Sequence, residues 1–116
     1  MNSQRLARIN DEIKKEVSQL IRHELSDPRI GDMTSVTKVD TSGDLSHCKI
    51  YVSVLGNDKE NAAALEGLKN AAGFIRKHIA GTVNLRQTPK LSFLLDDSVA
   101  QHMKIEAILR EVNSGE

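Results

Sequence analysis

A two-layer α+β sandwich is the fold this sequence predicts, and three observations carry it. Apolar residues recur at steps of three and four in an N-terminal, a central and a C-terminal segment, the signature of helices with one buried face. Leu45–Leu55 alternates apolar and polar residues cleanly, which marks a strand with one buried face. A Thr- and Val-rich stretch before it, and another β-like stretch over Leu85–Leu95, supply two more strands for helices to cover on one side. With 116 residues the chain is long enough for one core without staples, so a single domain over 1–113 is expected, with 114–116 as a frayed end.

The first helix begins at Ser3, a suitable N-cap, and puts Leu6, Ile9, Ile13, Val17, Leu20, Ile21 and Leu25 on one face. It should stop before Ser26-Asp27-Pro28, because proline disfavours helical geometry in the residue ahead of it. Met33–Asp40 reads as a strand, but Val36 and Val39 cannot share a face without a bulge or a strand end. Thr41-Ser42-Gly43-Asp44 is a turn, which makes a hairpin with the alternating strand whose inner face carries Cys48, Ile50, Val52 and Val54. Asp58 is the expected N-cap of the next helix. That helix carries the stripe Leu65, Leu68, Ala72, Ile75, Ile79, interrupted at Ala71-Ala72-Gly73, where an interior glycine costs about 1 kcal/mol relative to alanine. A kink is expected there, with something packed close to the backbone and a shorter helix continuing to a cap at Gly81. Pro89 belongs near the start or edge of the third strand. Ser98-Val99-Ala100-Gln101 matches a capping box ahead of a last helix through Met103, Ile105, Ile108, Leu109 and Val112.

Charge is the most informative feature for function. Sixteen Lys or Arg balance 16 Asp or Glu, so any polyanion binding must rest on a patch. Such a patch exists: from Gly67 to Leu95 stand Lys69, Arg76, Lys77, Arg86 and Lys90, with no acid among them. On spacing alone a basic helix face is by default a solvated one. A solvated face normally mixes both signs, however, and this block does not. A helix starting after the Ala71-Ala72-Gly73 break would present free N–H groups to a phosphate, with Arg76, Lys77 and His78 one turn later. Five phosphate contacts would give a salt slope of roughly −3.5.

Other chemistries find little support. The four histidines and single cysteine show no metal-ligand spacing, and neither a P-loop nor a dinucleotide fingerprint occurs, so no cofactor and no enzymatic activity are expected. Asp96-Asp97 precedes a capping box and is better read as helix capping than as an acid–base pair. Cys48 shares the inner strand face with Ile50 and Val52, the position of a buried small hydrophobe. Only three aromatic residues are present, which argues against a broad base-stacking platform. No apolar run is long enough to span a membrane, and a single cysteine fits a reducing, cytoplasmic setting.

The order helix–strand–strand–helix–kink–helix–strand resembles a type II KH domain whose usual GxxG loop is replaced by Ala71-Ala72-Gly73. RLARINDEIKKEVSQLI, HCKIYVSVLG, NAAGFIRKHIA and LRQTPKLSFLLDDS, in this order, resemble the ribosome-binding factor A family over nearly the whole chain. The resemblance implies a monomeric, non-enzymatic assembly factor that binds free small (30S) subunits and 16S rRNA. It also implies support of late maturation, including 5′-end processing, and a role in cold adaptation, with no membrane or small-molecule partner. Carried over by position, Ala71, Ala72 and Gly73 form the kink, and Arg76, Lys77 and His78 meet rRNA on a surface extended by Arg86 and Lys90. Arg5, Arg8, Lys14 and Lys15 on the first helix are further expected contacts. Two alternatives are a general KH-type RNA-binding module and a regulatory α+β domain that docks an acidic protein.

Overall fold

The computed structural model describes residues 3–25, 28–30 and 34–96. Helix α1 (Ser3–His23) buries Ile9, Ile13, Val17 and Leu20, the stripe its spacing predicts, with Leu6, Ile21 and Leu25 half-buried at its margins. Strands β1 (Thr34–Thr41) and β2 (His47–Val54) pair antiparallel, and β3 (Lys90–Leu95) joins the other side of β2 in parallel, giving the order β1-β2-β3. Helices α2 (Asp58–Asn70) and α3 (Ala72–Thr82) supply the crossover between β2 and β3 that a parallel pair requires. These three helices lie on one face of the sheet, where Cys48, Ile50, Val52, Leu91 and Phe93 are buried beneath them. The expected C-terminal helix from Ser98 and the frayed residues 114–116 lie outside the described residues.

The bulge that Val36 and Val39 demand is present. Val36 pairs with Val52 and Lys38 with Tyr51, so Thr37 is the extra residue and both valines face the core. Thr37 Oγ1 donates to the Asp96 carboxylate at 2.6 Å, and Asp96 N–H donates to Val52 O at 2.7 Å. Asp96 therefore ties the end of β3 to the bulge.

The hairpin turn carries a left-handed residue at Leu45 (φ 62°). Leu45 N–H donates to Ser42 O at 2.9 Å, and Ser42 N–H to His47 O at 2.8 Å. Burial offsets the strain of this conformation, because the Leu45 side chain is 1% exposed and belongs to the core. Asp44 secures the loop by accepting from Ser42 Oγ, Ser46 Oγ and Ser46 N–H, and the Ser46 hydroxyl foremost lowers its pKa from 3.8 to about 2. A depressed carboxylate contributes stability above its unfolded pKa and loses that contribution as pH falls through its folded one. Thermal melts of wild type and Asp44→Ala are thus expected to differ most above pH 4 and to converge toward pH 2.

Three boundaries differ from the sequence reading. Asn57, not Asp58, caps α2: its Oδ1 accepts from Glu60 N–H at 2.8 Å while the Glu60 side chain accepts from Asn57 N–H at 3.3 Å. The reciprocal glutamate decides this, and it packs close to Gly56, where a Cβ would lie 3.1 Å from the Glu60 side chain. The kink falls at Ala71 (φ −87°, ψ −1°), a conformation open to alanine, and Gly73 sits in the first turn of α3. None of the described residues packs on Gly73, since a Cβ there would meet no atom of theirs within 4 Å. Gly81 does not cap α3; the helix runs to Thr82, and buried Val83 ends it in extended geometry with its N–H on Ile79 O.

Candidate nucleic-acid interface

Helix α3 carries the Arg76-Lys77-His78 run, and helical geometry sends the three side chains in three directions, each about 100° from the last. Arg76 turns toward the start of β3, where Nε donates to Pro89 O at 3.2 Å and Nη2 to Thr88 O at 2.9 Å. His78 turns toward α1, with Nε2 2.9 Å from Glu16 Oε2 and only 26% of its side chain exposed. Lys77 points outward, opposite buried Ile75 and Ile79. Of the three, Lys77 is presented to solvent, Arg76 is exposed but tethered to the loop before β3, and His78 is part-buried against α1.

The remaining cations divide between surfaces. Lys69, in the last turn of α2, and Ala72, at the start of α3, line a groove of about 350 Å³ against Leu91, Ser92, Phe93 and Leu94 of β3. Among the described residues β3 is the last strand of the sheet, so this groove lies between the kink and β3. Arg86 is exposed on the loop before β3, a loop held to the hairpin turn by Gln87 Nε2 donating to Asp44 O at 2.8 Å. Lys90 falls on the opposite side of the molecule. It is exposed while Leu91 and Phe93 are buried, and its register partner is His47, so it lies on the open face of the sheet.

That open face is a cationic surface the charge pattern alone does not show. Lys38, Lys49 and Lys90 stand on it, with Asp40 opposite Lys49 and the Lys38 ammonium 5.6 Å from the Tyr51 ring centroid. The alternation of β2 places Lys49 and Tyr51 outward from the sequence, but pairing with Lys38 and the approach of Lys90 depend on register.

The α1 cations are divided as well. Arg5 and Arg8 line a hollow with Gln4, Glu12 and Asn84, near the end of α3. Lys14 lines a separate cleft between α1 and β1, with Arg22, Ser18 and Thr34. Lys15 is exposed. Ala71 and Ala72 are half-buried against the core, so of the kink residues only Gly73 is open. Cys48 is fully buried, and burial pushes its thiol pKa up, which suits a core position and not a nucleophile. Among the described residues no group of three His, Cys, Asp or Glu could hold a metal, and no helix is long and apolar enough to cross a membrane.

Helices α1, α2 and α3 on one face of a mixed three-stranded sheet, with a kinked pair leading into a parallel strand, define a KH-like α+β protein. The sequence profile of ribosome-binding factor A matches residues 5–109, and the chain belongs to that family. It is 45% identical over 111 residues to ribosome-binding factor A of Acetivibrio thermocellus, covering 96% of this chain and 90% of the relative. It is 47% identical to that of Lachnospira eligens, covering 96% and 85%. The fold is similar to the crystal structure of ribosome-binding factor A from Thermus thermophilus, with TM-score 0.69, 28% identity and coverage of 78% and 93%. It is also similar to a homology model of Thermus thermophilus ribosome-binding factor A as fitted into the cryo-electron microscopy map of its 30S complex, with TM-score 0.61, 26% identity and coverage of 84% and 97%.

Proposed function

We propose that this protein is a cytoplasmic ribosome assembly factor that binds the free small subunit as a monomer and supports late maturation of 16S rRNA. That role takes in processing of the rRNA 5′ end and growth in the cold. The observation that carries this reading is the family relationship over nearly the whole chain, together with similarity to a protein fitted into a 30S complex. The surface supports it: Lys69, Lys77 and Arg86 are exposed in a stretch without a single acid. Such a face suits recognition of shape and phosphate in folded RNA. Lys90, Arg5, Arg8, Lys14 and Lys15 then serve as outlying contacts on other faces.

No bond need be made or broken. A factor that binds one rRNA arrangement better than another shifts the folding equilibrium of the subunit by that difference alone. Near-neutral total charge restrains indiscriminate attraction to RNA and eases release. The test is cosedimentation with purified free small subunits, large subunits and intact ribosomes at two salt concentrations. Preferential and salt-sensitive recovery with free small subunits is expected; equal recovery with all three particles overturns the reading.

A further inference from the structure

Phe74 is the most conspicuous side chain that neither the fold nor the charge pattern uses. It is 52% exposed, although phenylalanine is ordinarily a core residue and the other one, Phe93, is 2% exposed. The inward face of α3 is complete without it, since Ala72, Ile75, Ile79 and Val83 succeed one another at steps of three, four and four. Phe74 lies on the opposite side of the helix. Its neighbour one turn on is Lys77, the outward cation of α3, three residues away and therefore on the same face. Gly73 beside it carries no side chain, and a Cβ there would meet none of the described residues within 4 Å.

We propose that Phe74 stacks on an unpaired rRNA base while Lys77 holds a neighbouring phosphate. This deepens the reading of an RNA-binding surface and rests on it. Recognition of RNA loops commonly combines an aromatic ring under a splayed base with cations along the backbone. The cation beside the ring selects RNA as the occupant: Lys77 is exposed one turn on, and the chain from Gly67 to Leu95 contributes cations and no acid. One ring in place of a platform accords with the scarcity of aromatic residues. It points to a single flipped-out or loop nucleotide, not a run of bases.

Affinity for free small subunits, measured over a range of salt for wild type, Phe74→Leu, Phe74→Tyr and Lys77→Ala, tests the assignment. Phe74→Leu retains apolar bulk and loses the π face, so its affinity is expected to fall roughly tenfold at every salt concentration, with the slope unchanged. Phe74→Tyr should bind as wild type does. Lys77→Ala should instead reduce the salt slope by about 0.7. Because the chain has no tryptophan, Phe74→Trp provides a single tryptophan, excited selectively over Tyr51 at about 295 nm, whose emission is expected to be quenched on binding protein-free 16S rRNA. Leucine binding as well as phenylalanine, while Lys77→Ala weakens binding, overturns stacking and leaves the RNA surface standing. No change in any of these variants overturns the surface itself. Melting temperatures within a few degrees of wild type, expected for a half-exposed site, separate either result from misfolding.

Discussion

Replacing Lys69, Lys77 and Arg86 together with alanine is expected to reduce the salt slope of small-subunit binding by about 2.1, taking about 0.7 per phosphate contact. Between 50 and 200 mM salt the loss of affinity is then roughly 20-fold smaller in the triple variant than in wild type. Arg76 is left out because its guanidinium already donates to the Thr88 and Pro89 carbonyls. Lys90→Ala by itself distinguishes two binding modes. It lies on the open sheet face, so a drop in slope of about 0.7 means that rRNA reaches both faces, and no drop confines contact to the helical side. A triple variant with unchanged slope would remove the surface from consideration.

Ile79→Ala is expected to cause the largest loss of stability. Ile79 is fully buried in α3, where it belongs to the core shared with α1 and the sheet. Truncating a buried isoleucine costs about 2–5 kcal/mol, from lost transfer energy and the cavity left behind. A domain of this size is stable by about 5–15 kcal/mol, so the melting temperature should drop by roughly 10–20 °C. Calorimetry of the variant checks the figure. Any binding loss should follow the fraction unfolded and be recovered on cooling, unlike the loss from the triple cation variant. A melting temperature within a few degrees of wild type would place Ile79 outside the core.

Element order through β3, the apolar stripes of α1 and α3, the Val36–Val39 bulge and the inward position of Cys48 were all legible in the sequence. Each depends on residues close together along the chain, and periodicity reports them directly. The outward position of Lys77 was legible too. Ile75 and Ile79 fix the inner face, and three consecutive residues cannot share one side of a helix. The cap at Asn57 was equally available, in Asn57 and Glu60 three residues apart.

Other features were set by tertiary structure. Leu45 adopts the left-handed conformation because a buried pocket rewards its side chain, an energy that local propensity does not contain. The kink settles at Ala71, not at the glycine, because Ala71 and Ala72 pack on the core and Gly73 faces outward. The acid-free block from Gly67 to Leu95 is one run in the chain and two surfaces in the molecule. The sequence by itself determined that the cations exist, that no acids dilute them and which helix faces are buried. The parallel register of β3 on β2 alone decided that Lys90 lies across the sheet from Lys77 and beside His47, because strand pairing joins residues about 40 positions apart that no local pattern relates.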